Sequence, residues 1–92
     1  MYAKENSFME YVIIAVRSRA TVVGLSQILT QLGIVNQIVS TPKEAGVGCG
    51  LSIKISTNQL LAVKRVVTLK KINVAGYFLV KTVGGRSIVK TI

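Results

Sequence analysis

The hydrophobic pattern of this chain changes its period along the sequence in an order that few small folds can accommodate. An apolar run rich in valine and isoleucine predicts a buried central strand over residues 10–17. Apolar residues then recur at helical spacing over residues 19–32, which predicts an amphipathic helix. Ser18 can cap the start of that helix, and Gly33 supplies a signal for its end.

The middle of the chain repeats this alternation of strand and helix. Residues 34–40 predict a second strand. Residues 51–56 alternate apolar with polar side chains, which is typical of a strand with one solvated face. Ser56 and Gln59 have the spacing of a capping box, which indicates the start of a second helix, and Asn73 indicates its end.

Two further strands are expected at the C-terminal end. Residues 74–83 predict a fourth strand, and Gly84-Gly85 is a strong signal for a two-residue hairpin that lets residues 86–92 pair back as a fifth. The order β-α-β-β-α-β plus one strand predicts a ferredoxin-like α+β fold, with two helices on one face of an antiparallel sheet. The other face is expected to be more exposed or used for self-association. The same element order with another strand order in the sheet is the alternative.

The chain length of 92 residues fits a single domain. We expect residues 1–8 to form a mobile leader, residues 9–83 the ferredoxin-like domain and residues 84–92 the C-terminal hairpin strand. No apolar run approaches the roughly 20 residues that a membrane-spanning helix needs, and the first residues lack the apolar region of a signal peptide. Together with a single cysteine, which cannot form an intrachain disulfide, these features indicate a cytoplasmic protein.

The charge balance is strongly basic. The formal net charge is +9, and no acidic residue follows Glu44. Such a balance favours anionic partners such as nucleic acid, oxyanions or acidic proteins. The alternative is that the charge only keeps an apolar chain in solution, and the sequence leaves both interpretations open.

The most distinctive segment is the cysteine loop, residues 41–50, which reads Thr-Pro-Lys-Glu-Ala-Gly-Val-Gly-Cys-Gly. Its glycines, Gly46, Gly48 and Gly50, permit backbone conformations in which several N–H groups point at a bound anion or at the thiolate of Cys49. Cys49 is therefore the candidate reactive residue. The competing interpretation is that Cys49 is a small buried apolar side chain and that the glycines only serve the turn.

The ferredoxin-like topology predicts what surrounds this loop. It places the loop at the end of the sheet where the first helix begins and the second helix ends. Arg17 and Arg19 flank the first helix start, and Lys70 and Lys71 lie at the second helix end. A helix N-terminus and nearby cations lower the pKa of a cysteine thiol, which makes the thiolate more abundant.

Several classes of function are excluded or disfavoured. No histidine is present, so a Cys-His or Ser-His dyad is excluded, and we expect the protein not to be an enzyme. Three glutamates and one cysteine give no plausible zinc site, and no cofactor is expected. RNA-recognition domains share the topology but need aromatic residues on the central strands, where only Tyr11 is available. Nucleic-acid binding through the phosphate backbone stays open but is not favoured.

The residues Thr41-Pro42-Lys43 and Cys49-Gly50-Leu51 resemble the loop of the putative selenium/sulfur carrier-like family, a group of short bacterial domains. Members resemble a strand, a helix and a strand ending in Thr-Pro-Arg/Lys, followed by a small-residue loop ending in Cys-Gly. The resemblance covers about residues 10–80. This chain departs from the family where Ser residues often precede the cysteine, and the segment after Val83 is additional.

The resemblance implies a carrier in which Cys49 holds sulfur or selenium as a persulfide or selenopersulfide. It implies protein partners, a donor such as a cysteine desulfurase and an acceptor. Arg17 or Arg19 and the glycine backbone would stabilise the anion, Lys43 would contact a partner or an anion, and Pro42 would stiffen the loop. The alternatives are a basic binding module, or a structural protein whose added strand completes the sheet of a homodimer, with Cys49 only structural.

Overall fold

The protein is described from a computed structural model that covers residues 8–46 and 50–92. Seven regular elements follow one another, and a short 3₁₀ turn precedes the second helix. Their bounds are β1 Phe8–Val16, α1 Arg19–Gln31, β2 Gln37–Ser40, β3 Leu51–Ile55, α2 Leu60–Lys70, β4 Val74–Val83 and β5 Arg86–Thr91. The element order predicted from the sequence is confirmed. Residues 1–7 of the expected leader lie outside the described residues.

The five strands form one sheet in the order β2-β3-β1-β4-β5, and every neighbouring pair is antiparallel. The first four strands have the ferredoxin-like arrangement, in which β1 and β3 are central, and β5 extends the sheet beyond β4. The predicted fold class is therefore confirmed, and the alternative strand order is wrong. No helix in the described ranges is long and apolar enough to cross a membrane.

Both helices pack on one face of the sheet. Alternate residues of β1 point to this face because successive side chains of a strand face opposite sides. Those from Val12 to Val16 are fully buried, and each contributes about 1.5–3 kcal/mol relative to an exposed position. The buried core combines β1 and β3 residues with three residues of α1 and one of α2: Val12, Ile14, Val16, Ile53, Ile55, Val22, Leu25, Leu29 and Val63.

The opposite face, called here the non-helical face, also carries a small core. Ile13 and Ala15 of β1 are buried there together with Phe78 and Val80 of β4. Ala45, which belongs to the cysteine loop, completes this cluster. The expectation of a more exposed face therefore does not hold at the centre of the sheet, because the loop contributes a buried side chain to it.

The two ends of α1 follow the expected signals. The Ser18 Oγ accepts a hydrogen bond from the Thr21 N–H at 3.1 Å and so caps the helix start. Gly33 follows the C-cap residue Leu32 with a φ of +80°, a conformation that side chains rarely adopt. Leu32 itself is 57% exposed, so the apolar spacing overstates the buried face by one residue.

The strand β2 begins three residues later than expected, at Gln37. The preceding segment is held by Asn36, which uses its side chain instead of strand pairing. Its Oδ1 accepts from the Ser26 Oγ at 2.6 Å, and its Nδ2 donates to the Thr30 Oγ1 at 3.1 Å and to the Ile34 carbonyl at 2.9 Å. These hydrogen bonds hold the segment before β2 against α1 and keep it out of the sheet.

The expected capping box of α2 is wrong. Ser56 makes no cap bond with its side chain, and its Oγ instead donates to the Asn58 Oδ1 at 2.5 Å. The chain enters through the 3₁₀ turn Thr57–Gln59 before α2 begins. The helix ends at Lys70 and not at Asn73 as expected, and its C-cap residue Lys71 has a φ of +54°.

The C-terminal hairpin is confirmed. Gly84 and Gly85 both have positive φ, +57° and +84°, as a two-residue turn of the primed type requires. The register pairs Val83 with Arg86, directly across the turn. The twist of this turn type matches that of the strands, which explains why β4 and β5 continue as one ribbon.

Candidate functional site

The sheet register brings the expected site elements to one end. Val16 of β1 lies opposite Val74 of β4, and Ser40 of β2 lies opposite Leu51 of β3. Ala15 pairs with Ser52, so all four strands meet at the same level. The start of α1, the end of α2 and both ends of the cysteine loop therefore share this end, called here the loop end of the sheet.

The base of the cysteine loop is closed by two hydrogen bonds. The Thr41 N–H donates to the Gly50 carbonyl at 2.9 Å, which extends the β2–β3 pairing by one step. The Thr41 Oγ1 lies 2.6 Å from the Ser52 Oγ, and either hydroxyl can be the donor. Ser52 is fully buried at 0% exposure. The alternating pattern predicted a solvated side chain at this position, and that expectation is wrong because the hydroxyl bonds Thr41 inside the structure.

The first half of the loop folds as a turn. The Ala45 N–H donates to the Pro42 carbonyl at 3.0 Å, and Gly46 follows with a φ of +59°. Gly50 has a φ of +94°. A Cβ at Gly46 would meet only ordinary contacts, and one at Gly50 would meet none, so backbone conformation and not crowding accounts for both glycines.

Ala45 anchors this turn on the sheet. It is 8% exposed and belongs to the cluster on the non-helical face with Ile13, Ala15, Phe78 and Val80. Thr41 and Pro42 are half-buried, whereas Lys43 is exposed. The turn thus holds the charged Lys43 side chain outward and the apolar Ala45 side chain inward.

Cys49 and Gly48 lie outside the described residues, as does Val47. The thiol reactivity and the glycine nest expected around Cys49 therefore stay predictions. What the structure describes is the frame on either side: Gly46 at one end and Gly50, bonded to Thr41, at the other.

The predicted cations stand exposed at the loop end. Arg17 and Arg19 flank the N-cap Ser18, and Lys70 and Lys71 lie at the end of α2. Within residues 8–46 and 50–92, the ion pair that forms is Lys81 with Glu10 at 3.6 Å, and it involves none of these four cations. The Ser18 cap already occupies the Thr21 N–H, so the helix start offers fewer open N–H groups than an uncapped one.

Sequence reasoning missed Ser52, Ala45 and the surface that receives the loop. The register places Ser52, Ala15 and Gly76 in one row across β3, β1 and β4 on the non-helical face. A Cβ at Gly76 would lie 3.1 Å from the Phe78 ring, a tight contact that the ring could accommodate only by shifting a few tenths of an ångström. This row of small residues was the available signal, but it becomes visible only after the three strands are aligned.

No metal centre emerges from the described ranges, which contain no group of three or more His, Cys, Asp or Glu residues close enough to share an ion.

The fold and the frame of the loop define a small ferredoxin-like domain with a hydrogen-bonded, glycine-rich loop at one sheet end. The model of the family described as Putative Se/S carrier protein-like matches residues 11–79, and the chain belongs to this family. No curated protein and no solved structure matches the chain. The matched range includes the whole cysteine loop and ends before β5.

Proposed function

We propose that the protein is a small thiol carrier that holds sulfur or selenium on Cys49 and hands it to a partner protein. The observation that carries this proposal is membership of the Se/S carrier-like family over a range that contains Cys49. The closed base of the loop supports it, because Thr41 holds Gly50, the residue next to Cys49 in the chain. A carrier needs an accessible thiol on a defined frame and no further chemistry of its own.

The transfer is a thiolate exchange. The Cys49 thiolate attacks the terminal sulfur of a cysteine persulfide on the donor protein. A sulfur–sulfur bond forms at Cys49 while the donor's sulfur–sulfur bond breaks, and the donor cysteine leaves as a thiolate with the bonding electron pair. An acceptor thiolate then takes the terminal sulfur from Cys49 by the same exchange. Selenium follows the same course as a selenopersulfide, and neither step consumes an external oxidant or reductant.

The neighbouring residues have supporting roles in this proposal. The backbone of Gly46, Gly48 and Gly50 and the cations Arg17 or Arg19 stabilise the anionic thiolate or persulfide. Lys43 contacts the partner or an anion, and Pro42 stiffens the loop. The protein acts stoichiometrically in the cytoplasm and not as an enzyme, and it needs no resident cofactor.

The first test is the pH dependence of Cys49 alkylation in the native protein. We expect fast labelling and a thiol pKa near or below about 7, against about 8.5 for an unperturbed cysteine. Incubation with a cysteine desulfurase and cysteine should then add the mass of one sulfur atom to the intact chain, and Cys49→Ser should abolish the addition. A thiol that labels only after unfolding contradicts the carrier proposal.

A second candidate is assembly through β5. This strand lies at the sheet edge, where its outer backbone groups can pair with another strand. Ile88 and Ile92 are 51% and 43% exposed beside that edge. Pairing of two copies predicts that deletion of residues 84–92, or Ile88→Lys alone, lowers the mass measured by light scattering. An unchanged mass in both variants excludes assembly through this strand.

A further inference from the structure

The outward side of α2 carries exposed apolar residues that the core does not use. Leu61 is 64% exposed and Leu69 is 79% exposed. They are eight residues apart, so the helical period places them on the same side, with the exposed Arg65 midway between them. Leu61, Arg65, Thr68 and Leu69 define what we call the α2 outer face.

This face is bordered by charge of one sign. Lys64, Arg65, Lys70 and Lys71 lie within eight consecutive positions, and no acidic residue follows Glu44 in the sequence. Lys64 contacts the Tyr77 ring, with its Nζ 5.0 Å from the ring centre. Lys70 and Lys71 gain from the negative end of the helix dipole. Arg65 lies in mid-helix, outside the last turn in which that dipole acts, and it belongs to no ion pair within the described residues.

A shallow groove runs beside these residues. It has a volume of about 460 Å³ and is lined by Lys64, Arg65, Thr68 and Leu69. An apolar side chain from a partner can lie in this groove against Leu69 while a carboxylate pairs with the Arg65 guanidinium, whose planar geometry suits bidentate contact.

We propose that the α2 outer face is a docking surface for an acidic, amphipathic segment of a partner protein. Charge complementarity selects an acidic occupant, since a second copy of this chain would bring cations against cations. The two leucines favour protein over nucleic acid, because a phosphate backbone gains nothing from them and the face offers no aromatic ring for base stacking.

A membrane surface fits this face poorly. Interfacial helices insert a broad apolar face into the lipid. The broad apolar face of α2, formed by Leu60, Val63, Val66 and Val67, is already packed against the sheet. What remains outward is two leucines separated by an arginine, which suits a narrow protein contact.

The docking surface goes beyond the carrier proposal and does not depend on Cys49. Because α2 ends at the loop end of the sheet, the docking surface and the cysteine loop share this end of the molecule, although Ala45 anchors the loop on the face opposite the helices. The surface and the thiol can be tested separately, since Cys49→Ser should leave docking unchanged.

The probe is a fluorescein-labelled helical peptide of glutamate and leucine with the leucines on one side, followed by fluorescence anisotropy on the full chain. We expect saturable binding that the double variant Leu61→Ser/Leu69→Ser weakens about ten-fold, equivalent to about 1.4 kcal/mol. Arg65→Glu should weaken binding at least as much. Val35→Ser and Lys90→Glu, which change an exposed valine and an exposed cation elsewhere, are the matched controls and should leave binding unchanged.

Circular dichroism of each variant checks that the fold is retained, which the exposure of all five positions favours. Absence of peptide binding overturns the proposal. Equal losses in the control variants also overturn it, because they indicate a diffuse charge effect. Single-stranded DNA or anionic phosphatidylserine vesicles that bind more tightly than the peptide, with no effect of the leucine variants, would assign the basic surface to nucleic acid or lipid instead.

Discussion

The Thr41 hydroxyl lies 2.6 Å from the hydroxyl of Ser52, at the base of the loop that contains Cys49. Thr41 also donates its N–H to Gly50, so one residue closes the loop through both its backbone and its side chain. Ser52 is fully buried, and its hydroxyl has this partner within the described part of the chain. This hydrogen-bonded pair therefore links strand β3 of the sheet to the base of the cysteine loop.

Ser52→Ala should lower the free energy of unfolding by about 1 kcal/mol, because it removes a buried hydrogen bond and leaves the Thr41 hydroxyl without its Ser52 partner. Urea denaturation measures the change. The matched control is Ser87→Ala, since Ser87 also pairs with a threonine across two strands, but at 3.5 Å and in an exposed position. The control should cost less than about 0.5 kcal/mol. Equal losses of unfolding free energy in the two variants would show that the buried Thr41–Ser52 hydrogen bond stabilises the protein no more than the exposed one.

Ala45→Asp should release the cysteine loop from the non-helical face, because a carboxylate cannot stay unpaired in the apolar cluster that now holds Ala45. The expected result is faster tryptic cleavage after Lys43 in the native protein, since a protease needs the chain locally free. Val35→Asp, at a position that is 85% exposed, is the control and should leave this cleavage rate unchanged. A rate unaltered by Ala45→Asp would argue against the anchoring role.

Two glycines of the α1 region should respond to alanine in opposite directions. Gly24 lies inside the helix, and a Cβ added there would have no atom within 4 Å, so Gly24→Ala should stabilise the protein by about 0.5–1 kcal/mol. Gly33 also has open space, but its φ is +80°, so Gly33→Ala should destabilise by about 1 kcal/mol through backbone strain alone. Thermal or urea unfolding distinguishes the two. Changes of the same sign would contradict this assignment.

Burial raises the pKa of the Tyr77 phenol above its ordinary value of 10.0. The folded state thus favours the neutral phenol, and the resulting stability is complete below the unfolded pKa and lost as the pH rises through the folded one. Wild type should therefore lose stability relative to Tyr77→Phe as the pH rises from about 9 to about 11. Urea unfolding at several pH values measures this difference. A difference that stays constant, or that grows in favour of wild type, would refute the assignment.

The local pattern predicted most of the fold because each signal acts over a few residues. Ser18 caps α1 with its own side chain, and Gly84 and Gly85 adopt the positive φ that the hairpin needs. The start of β2 and the entry to α2 were misplaced for a different reason. Asn36 and Ser56 make side-chain bonds to residues that the one-dimensional pattern does not relate to them.

The sequence predicted where in the fold the candidate site lies, but it did not predict which residues hold the cysteine loop in place. The positions of the loop between β2 and β3, of the start of α1 and of the end of α2 follow from the element order, since successive elements run in opposite directions. Ser52 and Ala45 escaped notice because a serine in an alternating strand predicts a solvated side chain, and an alanine in a loop predicts nothing.

The order of apolar periods by itself determined the α+β class, the number of elements and the end of the sheet where the cysteine loop lies. These are properties of short segments and of the directions in which they connect. Only the tertiary structure decided that Ser52 is buried against Thr41, that Ala45 packs on the non-helical face and that Leu61 and Leu69 stay outside. Burial depends on which residues arrive from distant parts of the chain, and no local pattern contains that information.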